Sequence, residues 1–166
     1  MPEKVIIVTG ERNGGKTSKM REIAAGYRSL GLEPAGILSV NSEAGTPDLP
    51  EPDKSRYFAL DLASGTTRLL ASEVPIAGED TFRLGRFYFS AGAFSWSSSV
   101  IEAGFSAPVL MIDELGPVEL AERGFWKTAA RAAAGFRGIL VLSIRDRFLE
   151  LFTEKLGIRP GIIKVT

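Results

Sequence analysis

The chain has 166 residues, and its 20 Lys and Arg residues balance 20 Asp and Glu residues. A chain of this length can bury a sizeable core as one domain over residues 1–166, and its balanced charge gives no sign of nucleic-acid binding. The absence of both cysteine and histidine excludes disulfides, thiol catalysis and histidine as a general base.

Export and membrane signals are also missing from the sequence. The first residues, Met1–Val5, lack the charged and then apolar layout of a secretory leader. No apolar stretch reaches the roughly 18 residues that a membrane-spanning helix needs. We therefore expect a cytoplasmic protein that does not bind a membrane.

The first forty residues alternate between apolar runs and a helical pattern. The pattern predicts a buried strand at 4–9, a helix at 16–30 that ends before Gly31, and a second strand at 35–40. Residues 41–55 are rich in proline and acidic side chains, which favours a solvated loop.

The middle of the chain predicts antiparallel structure. Residues 56–62 and 66–71 flank a glycine-containing turn and are typical of a β-hairpin. A further strand is predicted at 84–90 and a helix at 92–104.

The last third alternates again. It predicts strands at 109–112, 139–142 and 162–165, and helices at 119–134 and 146–156. This alternation predicts an α/β fold, with a mostly parallel central sheet flanked by helices and the hairpin near 56–71 as an antiparallel extension.

Residues 10–17 match G-x-x-x-x-G-K-[ST], the phosphate-binding loop or P-loop, between a predicted strand and a predicted helix. In this motif, backbone N–H groups close around phosphate oxygens, the lysine neutralises the phosphates, and the hydroxyl binds Mg²⁺. The candidate nucleotide-binding residues are Gly10, Glu11, Arg12, Asn13, Gly14, Gly15, Lys16, Thr17 and Ser18.

Asp113 and Glu114 directly follow the apolar strand at 109–112. Ligands of open α/β sheets bind at the carboxyl ends of strands, so Asp113 is predicted to hold Mg²⁺ together with Thr17. Glu114 is the candidate general base, since hydrolysis needs a group that activates water.

Several segments in the same order resemble the THEP1-type nucleoside-triphosphatases. They are Gly10–Thr17, Gly36–Leu38, Phe58–Leu62 with Ser64 and Gly65, Arg83–Phe87, and above all Asp113–Leu120. The resemblance implies a RecA-like P-loop fold and Mg²⁺-dependent hydrolysis of ATP, GTP and other nucleoside triphosphates (NTPs). It also implies that Lys16 and Thr17 bind phosphates and Mg²⁺, that Asp113 belongs to the Mg²⁺ shell, and that Glu114 activates water.

Arg83 and Arg86 fall in a stretch that resembles a family motif. An arginine near the γ-phosphate can stabilise charge in the transition state, so both are candidate catalytic residues.

Two other functions stay open. A P-loop small-molecule kinase would use the same loop with a second substrate pocket. A nucleotide-binding adaptor, resembling the GTP-binding proteins of molybdenum-cofactor assembly, would act through a protein partner that the sequence does not identify.

Overall fold

The structure is a computed structural model that describes residues 1–47 and 51–166. Its described strands form one nine-stranded mixed sheet in the order β5-β6-β4-β3-β2-β7-β8-β1-β9. The strands are β1 (Lys4–Gly10), β2 (Pro34–Val40), β3 (Arg56–Asp61), β4 (Thr67–Ser72), β5 (Thr81–Leu84), β6 (Phe87–Ser90), β7 (Val109–Leu115), β8 (Ile139–Arg145) and β9 (Gly161–Lys164).

Within the described ranges, five α-helices connect and cover these strands. They are α1 (Lys16–Ser29), α2 (Ala91–Ala103), α3 (Pro117–Leu120), α4 (Trp126–Gly135) and α5 (Leu149–Leu156). None of the helices within the described residues has the length and apolar character needed to cross a membrane.

The parallel half of the sheet confirms the predicted fold class. Strands β2, β7, β8, β1 and β9 pair in parallel. Their apolar side chains alternate between two buried layers, because successive strand residues point to opposite faces. Val8, Met111 and Val141 pack with helix α1 on one face, while Ile7, Ile112 and Leu142 pack with α2, α4 and α5 on the other.

The antiparallel extension is also confirmed, and it continues beyond the predicted hairpin. Strands β3 and β4 form the hairpin near 56–71, and β6 and β5 then add two more antiparallel strands at the edge. The single strand predicted at 84–90 is therefore wrong. Leu84 pairs with Phe87, and Gly85 has φ 60°, which is typical of the first turn position in a tight two-residue hairpin.

The single helix predicted at 119–134 is also wrong. The chain leaves α3 after Leu120, turns through positive φ at Glu122 and Gly124, and starts α4 at Trp126. The loop prediction at 41–55 falls partly on residues 48–50, which lie outside the described residues.

Gly36 decides how closely β2 approaches β7. Its φ is 117°, and a Cβ at this position would overlap the Met111 carbonyl oxygen. We expect Gly36→Ala to lower the free energy of unfolding by at least about 2 kcal/mol, through backbone strain and displaced strand pairing. Urea unfolding measures this change.

Gly26→Ala is the matched control. Gly26 lies inside helix α1, and a Cβ at this position would meet no neighbouring atom within 4 Å. That substitution should stabilise the protein by about 0.5–1 kcal/mol, and equal losses in both variants would contradict the close-packing argument.

Candidate active site

The phosphate-binding loop connects β1 to the N-terminus of α1. Gly15 precedes the helix with φ 92° and Asn13 has φ 57°, backbone conformations that glycine and asparagine tolerate best. The Gly14 N–H donates to the Glu11 carbonyl at 3.0 Å. The loop therefore folds into a compact turn whose next residues begin helix α1.

Lys16 is buried at the centre of this loop, with 3% of its surface exposed. Its Nζ donates to the Glu11 carbonyl oxygen at 2.7 Å, while the Glu11 side chain is itself exposed. The ammonium and the positive end of α1 thus lie together, and both attract phosphate.

Asp113 is fully buried at the end of β7 and accepts three hydrogen bonds. Thr17 Oγ1 donates to Oδ2 at 2.8 Å, the Ser39 N–H donates to the same oxygen at 3.0 Å, and Ser143 Oγ donates to Oδ1. One carboxylate therefore connects α1, β2, β7 and β8.

Glu114 occupies a bulge between β7 and β8. Ile112 pairs with Leu142 and Leu115 with Ile144, so Asp113 and Glu114 together face one residue, Ser143. Glu114 has φ 63°, and its N–H donates to Ser143 Oγ at 2.7 Å. Bulges re-aim side chains next to active sites, and this one directs Glu114 into a cavity while Asp113 stays buried.

Burial raises the pKa of both carboxyls. For Asp113, the hydrogen bonds from Ser143, Ser39 and Thr17 oppose this rise. For Glu114, the nearby Asp113 charge raises the pKa further, while Lys16, Arg145 and Arg12 oppose the rise. A carboxyl in such surroundings is a stronger proton acceptor once it is ionised.

The cavity beside Glu114 has a volume of about 280 Å³. Its polar side includes Arg12, Asn13, Tyr57, Arg86 and Arg145. The Tyr57 hydroxyl donates to Asn13 Oδ1 at 3.4 Å, which joins the loop interior to strand β3.

The oxygen donors at the loop fit a hard divalent cation. Thr17 Oγ1 and the Asp113 carboxylate are in direct contact, beside the helix end that attracts phosphate. No group of three or more His, Cys, Asp or Glu side chains within the described residues could hold a metal. The donors present are Thr17 and Asp113, and Mg²⁺ in proteins binds through one or two side-chain oxygens together with substrate phosphates.

Comparison with known proteins identifies the family. The model of the family described as NTPase matches residues 5–166. The chain belongs to this NTPase family. Its sequence is 24% identical over 160 residues to nucleoside-triphosphatase THEP1 of Methanothermobacter thermautotrophicus, covering 95% of this chain and 86% of that relative.

Two solved structures share the fold of this NTPase. The crystal structure of THEP1 from the hyperthermophile Aquifex aeolicus superposes with a TM-score of 0.71 at 18% identity, covering 97% of this chain and 88% of that chain. The solution structure of a human cancer-related nucleoside triphosphatase gives a TM-score of 0.68 at 18% identity, covering 98% and 89%. The predicted THEP1-type resemblance and the predicted NTPase enzyme are both confirmed.

The two arginines predicted as catalytic candidates of this NTPase have different surroundings in the structure. Arg86 lines the cavity, but it also pairs with Glu73 at 3.1 Å. Arg83 is not among the cavity residues; its Nε donates to the Gly85 carbonyl oxygen, and its guanidinium lies over Tyr88. Ser18 is exposed at the start of α1.

Three residues that the sequence did not single out belong to the site. Ser39 and Ser143 hold Asp113, and Arg145 lies at the end of β8, paired in register with Gly10 of the loop. Ser39 and Ser143 each follow an apolar run near a strand's carboxyl end, as Asp113 does, and Arg145 is the last residue of β8. Position at a strand's carboxyl end was the signal available in the sequence.

Glu119 holds together the segment between β7 and α4, which follows Glu114 in the chain. Its two carboxylate oxygens accept from the N–H groups of Gly116 at 3.0 Å and Phe125 at 3.1 Å. Burial raises the pKa of Glu119 from 4.5 to about 7, against these hydrogen bonds. The folded protein is therefore less stable when the Glu119 carboxyl is ionised than when it is protonated.

This raised pKa predicts a pH-dependent stability. Between pH 4.5 and 7 the folded state binds more protons at Glu119 than the unfolded state, so stability falls as pH rises through that window, by up to about 3 kcal/mol. Urea unfolding of the wild type and of Glu119→Gln from pH 4.5 to 8 measures this effect. The free energy of unfolding of the wild type minus that of the variant should fall as pH rises. A difference that stays constant across this range would contradict the assignment.

Proposed function

We propose that this NTPase hydrolyses ATP, GTP and other nucleoside triphosphates to the diphosphate and phosphate, with Mg²⁺, as a single P-loop domain over residues 1–166. The 2.8 Å hydrogen bond between Thr17 and Asp113 carries the proposal, because it brings the phosphate-binding loop and the strand-end carboxylates into one site. The relative from Methanothermobacter thermautotrophicus is named a nucleoside-triphosphatase, which supports the reaction.

Each part of the site has a role in this proposal. The loop N–H groups and Lys16 bind the β- and γ-phosphates. Thr17 and Asp113 would hold Mg²⁺, which supplies positive charge to the phosphate oxygens. Glu114 accepts the proton of the attacking water as the water oxygen bonds to the γ-phosphorus. The bond from the γ-phosphorus to the bridging oxygen breaks, and the nucleoside diphosphate leaves.

Arg145 is the guanidinium best placed to stabilise the transferring phosphoryl group. It is half-buried between the loop and Glu114, and burial lowers its pKa. No ion pair within the described residues neutralises it, in contrast to Arg86. A half-buried positive charge without a salt bridge is suited to a charge that develops only in the transition state.

A nucleotide is also favoured over nucleic acid as the substrate. The chain has no excess of basic residues, whereas nucleic-acid binding depends on a strong basic surface.

The first test replaces the proposed base. Glu114→Gln should bind ATP with wild-type affinity but release phosphate about 10²–10⁴-fold more slowly, because water loses its proton acceptor. Phosphate release and calorimetry separate the two effects.

Two further variants make this test specific. Lys16→Ala should instead lose nucleotide affinity, and Glu150→Gln on the exposed side of α5 should change neither property. Unchanged turnover in Glu114→Gln would remove Glu114 from the mechanism.

The second test concerns Arg145. Arg145→Ala should lower turnover about 10²-fold, the size expected when one preorganised donor to the transition state is lost, with a much smaller effect on ATP affinity. Arg147→Ala is the matched control, since Arg147 is exposed two residues away. Equal and small effects in both variants would show that Arg145 does not contact the reacting phosphate.

A further inference from the structure

The cavity beside Glu114 is far larger than hydrolysis requires. Its volume is about 280 Å³, whereas one water occupies about 30 Å³ in the liquid. The volume lies close to the lower end of the ~300–1,000 Å³ range of small-molecule pockets. The attacking water would therefore occupy only a small part of this cavity.

The chamber lies on the nucleophile side of the site. In phosphoryl transfer the attacking and leaving oxygens are roughly in line on opposite sides of the γ-phosphorus. Glu114, on β7, marks the attacking side. Arg12 and Asn13 of the loop line the chamber at one side, and from Glu114 it extends over β3, β4 and β6, which lie on the far side of β2 from β1. In-line attack puts the nucleoside diphosphate on the opposite side of the γ-phosphorus, which leaves this chamber to a second molecule.

The far end of the chamber is aromatic. Phe89, Phe94 and Phe125 contribute to its lining there, and Phe94 packs edge-to-face on Phe125 at 4.9 Å between ring centroids. Flat aromatic groups pack well against such rings. This end is therefore suited to a nucleobase.

The near end is cationic. Arg12, Arg86 and Arg145 line it, and the guanidinium groups of Arg12 and Arg86 lie 6.0 and 5.1 Å from the centroid of the Phe87 ring. Arg86 is paired with Glu73, whereas Arg12 and Arg145 form no salt bridge within the described residues. These two guanidinium groups offset the negative charge of Glu114 and favour a phosphate group. An aromatic end and an arginine-lined end match the two ends of a nucleoside monophosphate.

We propose that this chamber binds a nucleoside monophosphate and that its phosphate receives the γ-phosphoryl group in place of water. This rests on the proposed function, because it uses the same triphosphate site. An oxygen of the monophosphate bonds to the γ-phosphorus while the bond to the bridging oxygen breaks. The products are two nucleoside diphosphates, and no proton needs to be removed from an ionised phosphate.

The test uses the full chain with ATP, Mg²⁺ and each of CMP, UMP and GMP as probes. At least one probe should yield its diphosphate, separated from ADP by chromatography, and should lower phosphate release at least several-fold because it displaces water. Absence of CDP, UDP and GDP would overturn the transfer, even if a probe binds. Phosphate release from ATP without a probe tests the proposed hydrolysis separately.

A blocked chamber provides the structural control. Leu84 lines the cavity at the β5–β6 turn and is 38% exposed, so Leu84→Trp should lower the ratio of phosphoryl transfer to ATP hydrolysis at least 10-fold. Leu151→Trp, on α5 and 54% exposed, should affect neither reaction. Transfer that survives in Leu84→Trp with wild-type efficiency would place the second molecule outside this chamber.

Discussion

A single buried carboxylate holds the site together. Asp113 has no exposed surface, and leaving its charge unpaired there would cost several kcal/mol. The donors that compensate it come from α1, β2 and β8. Any displacement of these elements would leave part of that charge unsatisfied, so the position of the phosphate-binding loop relative to the sheet is tied to the stability of the fold.

Ser143 extends this constraint to Glu114. Its hydroxyl donates to Asp113 and accepts from the Glu114 N–H, which fills the gap that the bulge opens in the β7–β8 ladder. The same serine therefore supports two carboxylates with different surroundings. Asp113 is enclosed by hydrogen-bond donors, whereas Glu114 faces the cavity and its arginines. Different surroundings give two adjacent acidic residues different chemistry.

The antiparallel extension gives the site its second wall. Strands β3, β4 and β6 continue the sheet beyond β2, and the turn between β5 and β6 brings Leu84, Gly85 and Arg86 to the cavity. The loop held by Glu119 adds Phe125 on the other side. In this arrangement the parallel half of the sheet carries the candidate phosphate site, and the antiparallel half surrounds the space beyond it.

The parallel core, the loop between β1 and α1 and the Asp113–Glu114 strand end could be predicted from the sequence, because each depends on local patterns: apolar runs, a glycine-lysine motif and a fixed spacing. The contacts of Ser39 and Ser143 with Asp113 and the position of Arg145 beside the loop could not be predicted, since their partners lie far away in sequence and are brought together by strand register. The turn at Gly85 and the break between α3 and α4 were also missed. At Gly85 the strand pattern continues through a turn that the pairing of β5 with β6 imposes. Between α3 and α4 the helical pattern continues through a break that the Glu119 hydrogen bonds hold.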